Sequence, residues 1–253
     1  MKLVLLTALG VGGATLLGAI LGFAFKKISH RIGDIILSFA AGVMLAAAII
    51  GLILPSVELG GGAKALPVTV IGIFLGALTV NMLDRLVPHL HKLSGVETES
   101  HPEGSSKVDK ILLFVLAIAI HNFPEGIAAG VGFGTGDVTD GLIIAAGIAL
   151  QNIPEGMVII APMLASGISP KKTFFYAALT GLVEVVGTFI GYFAVSIASA
   201  ILPFALAFAG GTMLYVISDE MIPETHAHGF QRGATYSLLV GFCLMLVTDT
   251  LLG

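Results

Sequence analysis

Charge is scarce in this chain. Only 11% of its 253 residues are Asp, Glu, Lys or Arg, where a soluble domain carries about 25%. With 56% hydrophobic residues, that shortage excludes an ordinary soluble enzyme and puts the chain among membrane proteins. Tryptophan is absent and cysteine occurs once, as Cys243. A lone cysteine excludes an internal disulfide. Its place in an apolar run makes it a buried or lipid-facing thiol, with no bearing on redox compartment. The net charge of −4 leaves no basic surface for nucleic acid. The expected surroundings are instead a lipid bilayer, in the plasma (inner) membrane.

What is present are long apolar runs, several of which reach the ~20 residues needed to cross a ~30 Å hydrocarbon layer. The first, Leu3 to Phe25, is too long for a signal-peptide core and ends in basic residues, so it is expected to be a retained helix. Apolar runs between polar breaks predict eight helices, at about 3–25, 34–55, 66–88, 111–134, 140–164, 172–197, 201–222 and 234–252. The break between the sixth and seventh is the shortest, Ser199 to Pro203. Lys and Arg give the direction. Lys26, Lys27, Arg31, Arg85, Lys92, Lys107, Lys110, Lys171, Lys172 and Arg232 all fall on the same side of this alternation; only Lys2 and Lys64 fall on the other. By the positive-inside rule the basic side is cytoplasmic, and both termini face outside.

The expected fold is therefore all-α: a polytopic membrane protein with one domain spanning residues 1–253. The only long connection, 89–110, reads as a mobile cytoplasmic loop. Its His89, His91 and His101 fit either a solvated loop or weak metal capture. A homodimer is compatible with such a chain.

Few ionisable residues lie inside the spans, where each costs ~2.5–3.5 kcal/mol on an insertion scale. Glu125, Glu155 and Glu184 sit near midspan. His121 and Glu125 are four apart and share a helix face, and Gln151 and Glu155 repeat the pattern on the next helix. Asn122 and Asn152 lie three residues before the same glutamates. Helices 4 and 5 run antiparallel and would bring the two glutamates to one depth, within reach of Glu184. Pro124 and Pro154 each free the carbonyl four residues earlier, of Ile120 and Leu150, and should kink their helices. Gly126 and Gly156 allow close packing or further distortion. Broken helices at matching positions point to a midplane site in a transporter.

No Lys or Arg lies near midspan, so three carboxylates lack a counter-charge, and a divalent cation would supply it. Glu, Gln and Asn oxygens with one imidazole and no thiolate suit Zn²⁺, Fe²⁺, Mn²⁺ or Co²⁺. Such an ion would be transported substrate. The other reading at this point is three protonated, hydrogen-bonded glutamates.

The hexamers "HNFPEG" (121–126) and "QNIPEG" (151–156), with Glu184 in "GLVEVVG", resemble the metal-binding helices of the ZIP family (Zrt/Irt-like divalent-metal transporters). Eight helices, outside termini and a long loop after helix 3 extend the resemblance along the chain. It implies a ZIP-like bundle with a binuclear metal centre. One site would be His121, Glu125, Gln151 and Glu155; the second would be Asn122, Glu125, Asn152, Glu155 and Glu184. It also implies an inverted repeat of helices 1–3 and 6–8, and an elevator in which helices 1, 4, 5 and 6 slide against the rest. The chain departs from relatives that begin the second motif with His or place Asp where Asn152 stands. A neutral amide there weakens the charge balance of a second site.

Further residues are assigned by topology. Glu58 and Asp249 end their helices at the outer face, as cation attractors or as ordinary solvated acids. Asp34, Asp84, Asp219, Glu220, His226 and His228 gather near the inner face, where Asp219 and Glu220 resemble the family's exit acids. Met44 is a pathway or packing residue. The expected function is uptake of Zn²⁺, or of Fe, Mn or Cd, into the cytoplasm, with no enzymatic activity. Two other classes remain open: a metal-gated channel or sensor, and an intramembrane metal hydrolase, against which the lack of an HExxH motif counts.

Overall fold

A computed structural model describes residues 1–24, 29–86, 119, 122–133, 138–165, 167–197 and 199–252. These are all-helical, without a strand among them. In chain order the helices are α1 (Lys2–Ala24), α2 (His30–Leu59), α3 (Leu66–Leu86), α4 (122–132), α5 (Val138–Ala165), α6 (Pro170–Ile197), α7 (Leu202–His226) and α8 (Gln231–Leu252). Six of them, α1, α2, α3, α6, α7 and α8, are long and apolar enough by length and composition to cross a membrane. The loop 89–110 with its histidines, His121, and the side chain of Asp84 lie outside the described residues.

Sequence and structure differ at helix ends for local reasons. α2 starts at His30, four residues earlier than expected, because Ser29 caps it: the Ser29 hydroxyl accepts the Ile32 N–H at 3.4 Å. It also runs past Pro55 to Leu59. Proline has no N–H to give the carbonyl four residues back, and the preceding turn widens to a π-helix over Ala47–Ile53, with the Leu54 N–H reaching Ile49 O. α7 repeats the arrangement before Pro223. Its π turn, Ile217–Met221, sends the Ile222 N–H to Ile217 O, so the helix includes Asp219 and Glu220 and continues to His226. The short break at Ser199–Ile201 is a 3-10 turn, with Pro203 in the first turn of α7. α5 is helical without interruption across Pro154.

The helices pack in two groups. α1 lies along α5 and α6, while α2 lies along α8 and α3 along α7. Glycine makes these approaches close. A Cβ on Gly18 would fall on the backbone of Ile153, on Gly156 on that of Thr15, and on Gly12 on that of Gly181, all around α1. α4 is held on α6 in the same way, Gly126 against Glu184 and Gly130 against Thr188. In the other group Gly42 meets Leu238, Gly76 meets Phe208 and Gly211 meets Ile73. Small residues let backbones touch where lipid gives no hydrophobic drive to helix association. The groups meet through an aliphatic core containing Ala47, Ala48 and Leu52 of α2 with Ile144 and Ile148 of α5. Outward faces of α3 and α8 carry Phe74, Met82, Val240 and Leu251, where lipid replaces water, and Cys243 is exposed on α8.

Gly42→Ala should therefore cost about 1–3 kcal/mol by overpacking against α8. Gly10→Ala, whose new methyl meets nothing within 4 Å, should leave stability unchanged or slightly raised. Heating the detergent-solubilised variants and following the monodisperse size-exclusion peak checks the contrast.

Candidate metal centre

Hydrocarbon and packed protein offer no water to a polar group, so each one buried there must find a partner. Among the described residues the buried ionisable side chains are Asp34, Glu125 and Glu184. The last two lie in the middle of the α1–α4–α5–α6 group. Glu184, 0% exposed, projects from α6 into donors from three other helices. Thr15 Oγ1 of α1 donates to its Oε1 at 2.6 Å, and Asn122 Nδ2 of α4 donates to the same oxygen. Asn152 Nδ2 of α5 donates to Oε2 at 2.6 Å and also to Val11 O at 3.3 Å. Beside this cluster Gln151 Nε2 donates to Glu125 Oε1 at 2.7 Å. The half-buried Glu155 lies close enough for its charge to act on both Glu125 and Glu184.

Six of the seven residues read from the two hexamers and Glu184 thus belong to one polar centre; the seventh, His121, lies outside the described residues. The i, i+3 spacing of the amides before each glutamate explains why one helix face supplies both kinds of group. Gly126 and Gly156 have the expected role, since a Cβ on either would strike α6 or α1 and hold these faces apart.

The donor set has a definite character. Glu125 Oε2, Gln151 Oε1 and Asn152 Oδ1 are buried oxygens with no hydrogen-bond partner among the described residues. Oxygens gathered without donors, close to further carboxylates, suit a cation. No three His, Cys, Asp or Glu side chains among the described residues form a metal-holding group by themselves; His121 lies outside those residues, and the described centre adds amide oxygens to its carboxylates.

The sequence of this chain matches the profile of the ZIP zinc transporter family over residues 91–249. It is 44% identical to zinc transporter GufA of Myxococcus xanthus, with 98% of each chain covered. The chain belongs to the ZIP family. It is also 40% identical to zinc transporter ZIPB of Bordetella bronchiseptica, over 95% of this chain and 78% of that one. With human zinc transporter ZIP11 it shares 34% identity, over 95% and 94%. A ZIP chain is a transport protein, which sets aside the hydrolase reading, and this one is an integral membrane protein.

Away from the centre, the structure sorts the remaining ZIP candidates. Asp34 is buried and its Oδ1 pairs with His228 Nδ1 at 2.9 Å, while the His228 ring stacks on His30 with centroids 4.5 Å apart. His226 is instead bound locally, Nδ1 to Ile222 O at 2.8 Å and Nε2 to Thr235 Oγ1 at 3.2 Å. Asp219 is exposed and Glu220 half-buried. At the other end Glu58 is exposed, and Asp249 lies within electrostatic reach of Asp140. Met44 is buried in the aliphatic core.

Sequence reasoning missed Thr15, the Val11 carbonyl, His30 and Asp140. A lone threonine in "GATLLGAILG" carries no periodic signal, and its partner lies 169 positions away. Replacing the acceptor tests the network. Glu184→Leu would orphan three donors at about 1–3 kcal/mol each, and should sharply lower the thermal midpoint in detergent. Glu58→Gln, at an exposed position, should leave it unchanged.

Proposed function

We propose that this ZIP protein moves a divalent transition-metal cation into the cytoplasm, with Zn²⁺ as its leading substrate. The observation that carries the reading is the set of buried, donorless oxygens on Glu125, Gln151 and Asn152, beside Glu155 and Glu184 and without a buried basic side chain among the described residues. A dication neutralises such a site and satisfies its lone pairs together. The names of the relatives, all zinc transporters, support the choice of metal.

On this proposal the chain crosses the membrane eight times with both termini outside, and Pro124 and Pro154 bend α4 and α5 at the site. Ligands would come from His121, Glu125, Gln151 and Glu155, with Asn122, Asn152 and Glu184 alongside. Glu58, Asp140 and Asp249 would draw cations in at the outer end, and Asp34, Asp219, Glu220 and His228 would take them at the inner end. The repeat of α1–α3 in α6–α8 is supported by the matched π turns before Pro55 and Pro223, and by the matched pairings of α2 with α8 and α3 with α7.

Sliding of α1, α4, α5 and α6 against the other helices is supported by where the polar contacts fall. Bonds of Glu184 and Glu125 join helices of the first group. Ser56–Thr69, Asn81–Tyr215 and Ser237–Ile35 join helices of the second. Between the groups Gly51 meets the side chain of Ile144, and Gly147 that of Met245, so flexible side chains face each other where backbones interlock elsewhere.

Proteoliposomes with a zinc dye inside test the function. Wild type should admit Zn²⁺ saturably, and Glu125→Ala should reduce entry by more than the roughly 10–100-fold typical of losing a supporting contact. Equal entry by both would sink the proposal, and single-channel currents would favour a channel over a carrier. Because ligands must be deprotonated to bind metal, protons compete with it, and uptake should weaken as pH falls. Competition among Zn²⁺, Fe²⁺, Mn²⁺ and Cd²⁺ in the same assay ranks the substrates.

A further inference from the structure

Thr15 departs from the commonest habit of the described helix threonines, which is to bond a carbonyl three or four residues back in their own helix. Thr79, Thr188, Thr235, Thr248 and Thr250 each donate to the carbonyl four residues earlier in their own helix. Thr15 instead donates across to Glu184. The carbonyl four residues before it, Val11 O, accepts from Asn152.

This exchange fixes the Asn152 amide. Its nitrogen faces two acceptors, Val11 O and Glu184 Oε2. Turning the amide over would set its oxygen against a carbonyl and a carboxylate, with no hydrogen between them. Asn122 adds the third donor to Glu184. Both oxygens of Glu184 are therefore engaged by donors from α1, α4 and α5. Glu125 Oε2, Gln151 Oε1 and Asn152 Oδ1, by contrast, have none among the described residues, so Asn152 serves the cage through its nitrogen alone. The centre divides into an open half and a caged half.

We infer that the centre holds one dication per chain, at Glu125, Gln151 and Glu155, while Glu184 stays caged by Thr15, Asn122 and Asn152 as a fixed counter-charge. The inference rests on the proposed function and deepens it. Charge balance points the same way. Three carboxylates with one dication leave a single negative charge, and on Glu184 three hydrogen-bond donors spread it. Two dications would leave a positive charge in the interior with no acceptor of opposite sign, because the amide of Asn152 is neutral. Thr15 is a positioning residue in this arrangement. It touches Glu184, not the ion, and its bond keeps that carboxylate turned away from metal.

The test counts ions on the full chain, purified in detergent, equilibrated with Zn²⁺ and freed of unbound metal. Elemental analysis should give one Zn²⁺ per chain, and calorimetric titration one binding event. Asn152→Asp removes a donor and adds a carboxylate, and should raise the count to two. Thr15→Val should produce a second, weaker event that Thr15→Ser abolishes, a readout that a merely structural hydroxyl would not move. Two ions on the wild type would overturn the inference and leave the proposed function standing; none would overturn both. A Thr15→Val titration identical to wild type would remove Thr15 from the cage, and an Asn152→Asp count that stays at one would refute the charge argument.

Discussion

A carboxylate with no exposure to solvent is the constraint around which this protein is arranged. Glu184 lies in the middle of a helix where neither water nor lipid can solvate it, and leaving it unpaired would be more costly than any single packing defect in the bundle. Its donors come from α1, α4 and α5, so four helices converge on one side chain. The convergence needs backbones close enough for short side chains to reach. That is why glycine stands at 126 against α6 and at 156 against α1. Polar demand and small-residue packing are two aspects of one requirement: Thr, Asn and Glu have short reach, and a methyl group at either glycine would open the gap.

The other four helices are joined differently. Their polar links lie toward the ends of the spans, with Ser56 bonded to Thr69 and the Pro203 carbonyl at one end and Asp34 to His228 at the other. Between these links lie aliphatic contacts, the bond of Asn81 to Tyr215, and the backbone approaches at Gly42, Gly76 and Gly211. The two prolines that would break α2 and α7 are absorbed by π turns, which keep each helix continuous while leaving a wider, less regular segment. One group is thus held by a buried polar knot and the other by scattered polar links and glycine contacts, and the surface between them is built from side chains that can repack. The sliding proposed above needs such a division, because the part that would hold the ion has to move as a unit.

The broad outline was legible in the sequence because its causes are local. Span lengths follow from hydrocarbon thickness, so the described ends of α1, α2, α3, α5, α6, α7 and α8 lie within a few residues of their expected places. Where they differ most, at both ends of α2 and the C-terminal end of α7, the reason is a cap or a π turn that absorbs a proline. The face shared by Asn122 and Glu125, and by Gln151, Asn152 and Glu155, followed from helical spacing alone. Glu184 was legible as a charge that membrane helices rarely retain without purpose.

The sequence by itself determined that the chain is a membrane bundle of the ZIP family and which polar residues share a helix face, since hydrophobic length and i, i+4 spacing are properties of single helices. Only the tertiary structure decided which group each amide serves. It paired Thr15 with Glu184, turned Asn152 toward the Val11 carbonyl, and joined His228 to Asp34 across 194 positions. A hydrogen bond between helices depends on their rotation, depth and separation together, and no periodicity within one helix records those.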